Sequence, residues 1–157
     1  MRRVLAVLAG SALLLLAGCG SDADPTVTWK AGEATQTVGP SQFCDIRMKD
    51  CHDDPAAQAG LAVPTGSPVE VTVPEEISEA PWSVVFAYTD QDGQQASGRS
   101  PVFAPKAQQS YTLTLPDPRD TLITAQVQLL GAAPVANPST GELDYPARGT
   151  WVLVVRP

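Results

Sequence analysis

Trp82-Ser83-Val84-Val85-Phe86-Ala87-Tyr88-Thr89 is the stretch on which the fold turns. Every second residue (Trp82, Val84, Phe86, Tyr88) is large and apolar, so in an extended chain all four project to one side. A helix would scatter the same side chains around its axis. Asp92-Gly93 follows, a pair suited to a tight hairpin because glycine accepts positive φ, and residues 94–96 run back alongside.

The same period of two recurs on both sides. Upstream, Val27 and Trp29 share a face of a first strand, and residues 33–38 form a weaker second one. Residues 42–46 make a short strand, and Val69, Val71 and Val73 alternate with Glu70 and Thr72. Downstream, Tyr111, Leu113 and Leu115 point inward between hydroxyls, as do Ile123, Ala125, Val127 and Leu129 against Thr124, Gln126 and Gln128. Residues 150–155 are apolar on both faces, as expected of a strand inside a sandwich. Pro55 permits a single helical turn over 53–59, and residues 74–81 read as an acidic connection. Fifteen prolines and twelve glycines punctuate these runs. Seven or more short strands with a Trp on a central one predict an all-β domain over 26–157, an immunoglobulin-like β-sandwich, with a small barrel as the alternative.

The N-terminus carries an address. Arg2 and Arg3 precede an apolar run over 4–16, too short for a span of about 20 residues. It ends in Leu16-Ala17-Gly18-Cys19, which resembles the lipobox of bacterial lipoproteins. That resemblance implies a signal peptide over 1–18, a diacylglyceryl group on Cys19 and a tether over 19–25 that reaches about 20 Å. An ordinary secretory signal with an incidental cysteine is the alternative. Two acyl chains, at about 0.8 kcal/mol per buried methylene, would hold the protein on the extracytoplasmic face of the cell membrane. Removal of Arg2 and Arg3 leaves eight basic against seventeen acidic residues, a net charge of −9. Such a domain is poorly suited to nucleic acid.

Cys44 and Cys51 remain, and in an oxidising compartment an even remainder implies one disulfide. A metal site with His52 is the competing reading, but the spacing matches no common zinc pattern. A bridge that local is not the inter-sheet bridge of antibody domains.

Other chemistry is thin. His52, the only histidine, lies beside Asp50, Asp53 and Asp54. Consecutive side chains around a disulfide read more readily as a solvated loop than as ligands or an acid–base centre. No Gly-x-Ser-x-Gly elbow accompanies the sole candidate base. Asp90-x-Asp92-Gly93 has its glycine too early for a calcium loop. Glu75, Glu76 and Glu79 lie in one connection, not across a cleft. Trp29, Trp82 and Trp151 fall on inward faces and read as core rather than as a ligand groove. Arg99, among Ser100 and Pro101, could meet a carboxylate or phosphate.

Several stretches together resemble a known family: Phe43-Cys44-Asp45 with Cys51, Pro81-Trp82-Ser83-Val84-Val85-Phe86, and Arg99-Ser100-Pro101-Val102-Phe103-Ala104-Pro105. Asn137-Pro138 with Thr140-Gly141-Glu142, and Gly149-Thr150-Trp151-Val152-Leu153, complete the set. The family is an actinobacterial group of lipoproteins known as domain of unknown function 2771. It implies one exported domain and lends no catalytic residue, metal, cofactor or ligand. The expectation is a non-catalytic, membrane-anchored module that binds or scaffolds an envelope protein or wall component. A carrier of a small apolar or lipid ligand is the alternative, which an internal apolar cavity would favour. An enzyme centred on His52 is the other.

Overall fold

The computed structural model describes residues 24–136, 138–141 and 143–157. The expected signal peptide over 1–18 and Cys19 lie outside them. The strands are β1 (Val27–Ala31), β2 (Ala34–Val38), β3 (Gln42–Phe43), β4 (His52–Asp53), β5 (Gln58–Leu61), β6 (Val69–Thr72), β7 (Trp82–Thr89), β8 (Gln95–Arg99), β9 (Ser110–Leu113), β10 (Thr121–Leu130), β11 (Val135–Ala136), β12 (Leu143–Asp144) and β13 (Ala147–Val155), with one helical turn, α1 (Glu75–Ser78). The protein is nearly all β.

A four-stranded sheet runs in the order β2-β1-β6-β9, every pair antiparallel. A larger sheet runs β4-β3-β13-β10-β7-β8. β5 joins it by pairing parallel with β13, which therefore meets β3 along its first half and β5 along its second. One buried cluster is drawn from both sheets: Val27, Trp29, Val69, Val71 and Leu113 from the smaller, and Trp82, Val84, Val127, Trp151 and Leu153 from the larger. All three tryptophans are 0% exposed, so they are core, as their strand spacing predicts. The Gln36 side chain accepts a bond from the Gly60 N–H at 2.7 Å, linking the sheets where β2 meets β5.

Three local expectations need correction. Residues 53–59 make no helical turn: the Asp54 carboxylate caps the Ala56 N–H at 3.0 Å, and Gln58 onward is taken up as β5 by the open edge of β13. The helical turn forms instead after Pro74, within the expected acidic connection, because burying Ile77 completely pulls that segment inward. On β10 the inward position falls to Leu122 rather than Ile123. The register with β7 shifts between Leu122 and Thr124, and such a bulge turns the strand over by one residue.

The Asp92-Gly93 hairpin forms as its residues predict, with Gly93 at φ +78°. Asp90 accepts the N–H groups of Asp92 and Gln94 at 2.9 and 2.8 Å, so its carboxylate holds the turn itself.

Candidate functional site

Chain direction fixes which end of the molecule faces the N-terminal segment. β13 begins at Ala147, Gly149 pairs with Phe43, and Phe43 pairs with His52. His52 Nε2 lies 2.8 Å from Asp24 Oδ2, and the buried Trp151 indole N–H donates to the Pro25 carbonyl at 2.8 Å. Asp24 and Pro25, which the sequence assigns to the tether, are thus bonded to the domain. The chain enters at the end where β7 and β13 start and β10 finishes.

The Cys44–Cys51 disulfide is present at this entry end, with Cys44 buried. Arg148 lies over the Phe43 ring and donates to the Cys44 carbonyl at 3.4 Å. Partial burial pushes the Arg148 pKa down, and Asp45 partly offsets this. The loop closed by the disulfide folds on its own backbone, Asp45 accepting the N–H groups of Arg47 and Lys49 at 3.0 and 2.6 Å. Met48 and Asp50 adopt positive φ within it.

Apart from Arg99, the polar candidates are not drawn into a cleft. The His52 side chain is half exposed and bonded to one carboxylate, that of Asp24, which the sequence did not single out. Asp54 is spent on the Ala56 amide. Among the described residues, no three His, Cys, Asp or Glu side chains could share a metal ion. Glu79 pairs with Lys106 at 3.6 Å on the surface. Ser100 is buried, accepting the Val84 N–H at 2.9 Å and donating to the Pro101 carbonyl at 2.8 Å. Its neighbour Arg99 ends β8 exposed.

Two surfaces remain. The first is a trough on the outer face of the larger sheet, with a volume of about 480 Å3. Val85 and Ala87 form its floor because they alternate with the inward Val84 and Phe86. Ser97 and Arg99 line one side, Thr124 and Gln126 the other. The second is an apolar groove of about 540 Å3 at the entry end, lined by Pro81, Val102, Leu130, Gly131, Ala132 and Tyr145. It is open, not the internal cavity that the carrier reading asks for.

Four exposed large hydrophobics gather at that groove: Met48, Val102, Leu143 and Tyr145, while Ile46 is exposed on the same disulfide loop as Met48. Val102 and Tyr145 line it, and Leu143 joins them in an adjoining hollow. On the β11–β12 ribbon Val135 pairs with Asp144 and Leu143 with Ala136, so the Val135 side chain projects to the face opposite Leu143. A Cβ placed on Gly131 would lie 3.6 Å from Met48 Sδ, so the disulfide loop abuts the groove. The sequence reading missed this patch. Its members come from separate segments with no shared period.

A family model described as protein of unknown function, DUF2771, matches residues 20–156. The chain belongs to the DUF2771 family. It is 36% identical over 129 residues to the uncharacterized protein Mb0899c of Mycobacterium bovis, covering 81% of this chain and 76% of that protein. The same figures hold for the uncharacterized protein Rv0875c of Mycobacterium tuberculosis strain H37Rv. No solved structure matches the chain. Among the described residues, no helix is long and apolar enough to cross a membrane.

Proposed function

We propose that this DUF2771 protein is a lipid-anchored, immunoglobulin-like binding module of the cell envelope, held on the extracytoplasmic face of the membrane through Cys19 and acting without catalysis. The observation that carries the binding reading is the trough on the outer sheet face. A solvent-facing sheet ordinarily carries polar chains outward, whereas here Val85 and Ala87 floor a concavity edged by hydroxyls, an amide and the Arg99 guanidinium. An apolar floor with a few convergent polar groups suits an envelope protein or wall component. Half-exposed His52, bonded to the Asp24 carboxylate and lining neither the trough nor the groove, supports a non-catalytic role over the enzyme alternative.

A photo-crosslinking residue at Ser97 in intact cells tests the reading. The expected result is a discrete adduct that disappears when Val85→Asp is introduced. A Ser97 probe that captures nothing discrete, in a protein shown by mass spectrometry to be acylated at Cys19, would sink the binding role and leave the anchor standing.

The apolar groove at the entry end favours a second reading, a carrier of a small apolar ligand. Retention of an extractable lipid by protein purified from cells, lost in a Gly131→Leu variant, would support it.

A further inference from the structure

Among the described residues nothing covers the apolar entry end, and its place in the chain says what does. Asp24 and Pro25 are bonded there, through His52 and Trp151. Cys19 stands five residues before Asp24, a reach of at most about 17 Å. We infer that this end is the membrane-contact face: the disulfide loop and the β11–β12 ribbon rest in the lipid headgroup layer, with Ile46, Met48, Leu143 and Tyr145 entering it. The inference rests on the anchor proposed at Cys19 and adds the orientation of the domain.

The chemistry of the patch fits a bilayer surface. Ile46, Leu143 and Tyr145 are 65%, 66% and 53% exposed, an expensive arrangement in water unless something covers them. An interfacial segment sinks such side chains about 5–10 Å, and a tyrosine at headgroup depth keeps its hydroxyl in water. Arg47 and Lys49 flank Met48, and their aliphatic stems can lie along the interface while their charges stay out. Asp45 faces its own loop amides and Asp24 is bonded to His52, so neither carboxylate is driven naked into the layer. Asp50, Asp53 and Asp54 follow in the same region, and the domain as a whole is acidic. The contact is therefore apolar, and zwitterionic lipid suffices.

The far end provides the control. β7 is eight residues long, so the Asp90–Gly93 turn lies roughly 25 Å from Trp82. The three native tryptophans are fully buried and give a constant background. Full-length protein purified from membranes, with the mass of its N-terminal residue determined, is reconstituted in vesicles of brominated phosphatidylcholine. A Tyr145→Trp variant should be quenched at least threefold more than an Asp92→Trp variant, and an Ile46→Trp variant should repeat the result independently of Tyr145. Acylated protein quenched equally at both ends would overturn the inference and leave the anchor intact. Burial of the patch in a second copy, seen as a dimer in light scattering with Tyr145→Trp shielded from lipid, would overturn it too. A bare thiol with entry-end quenching on added vesicles would remove the anchor and keep the contact face. A bare thiol without such quenching removes both.

Discussion

The two ends of the sheets are built by different means. At the far end, the turn after β7 and the turn before β10 close on themselves: Asp90 caps amides two and four residues on, and Asp117 accepts from the Arg119 amide and guanidinium. Asp120 is buried there, accepting the Asp117 N–H at 3.0 Å. At the entry end Asp45 closes the disulfide loop in the same local way, but bonds between residues more than a hundred positions apart are added, Trp151 to Pro25 and Arg148 to Cys44. A local turn specifies only itself, and its polar chains leave a surface that water covers well. An end assembled from remote segments brings together side chains that no single segment controls, and here it leaves an apolar patch.

Disturbing the entry end should therefore cost more than disturbing the far end. Trp82 starts β7, is fully buried and packs on Phe103 with ring centroids 4.5 Å apart. Trp82→Ala should destabilise the domain by about 3–5 kcal/mol in urea titration. Replacing Cys44 and Cys51 by Ser should cost about 2.5 kcal/mol in the chain-entropy account, lowering the melting temperature by roughly 8 °C. At the far end, Gly93→Ala meets no atom within 4 Å, so only its positive φ is penalised. A loss of about 1 kcal/mol is expected. A Gly93→Ala cost equal to that of the disulfide would break the contrast.

The smallest effect sharpens it. Side-chain and backbone bonds from Arg119 hold the Asp117 carboxyl down from 3.8 to about 2. A depressed carboxyl stabilises the fold fully above 3.8, and that contribution is lost as pH falls through about 2. The group is exposed, so the effect on stability is slight. An NMR titration should place its midpoint near 2, and Arg119→Ala should move it back toward 3.8.

Legibility followed the same division. Most strands of both sheets, the buried tryptophans and the Asp92-Gly93 turn are readable because a period of two and a glycine with positive φ act within a few residues; the short strands β4 and β5 are not. The helical turn follows Pro74, its N-cap residue, and not Pro55, since the choice lies with the burial of Ile77 and the free edge of β13. Of the site, the sequence singles out Arg99, His52 and the cysteines. That Arg99 edges a trough and that His52 holds Asp24 depend on pairings far apart in the chain.

By itself, the sequence determined a nearly all-β chain with buried aromatics and a local disulfide, because side-chain period and cysteine spacing are properties of neighbouring residues. Only the tertiary structure decided that Asp24 and Pro25 meet the domain beside the disulfide loop, and that Met48, Val102 and Tyr145 gather there. Those meetings arise from strand order, which joins residues far apart in the chain and which adjacent residues do not encode.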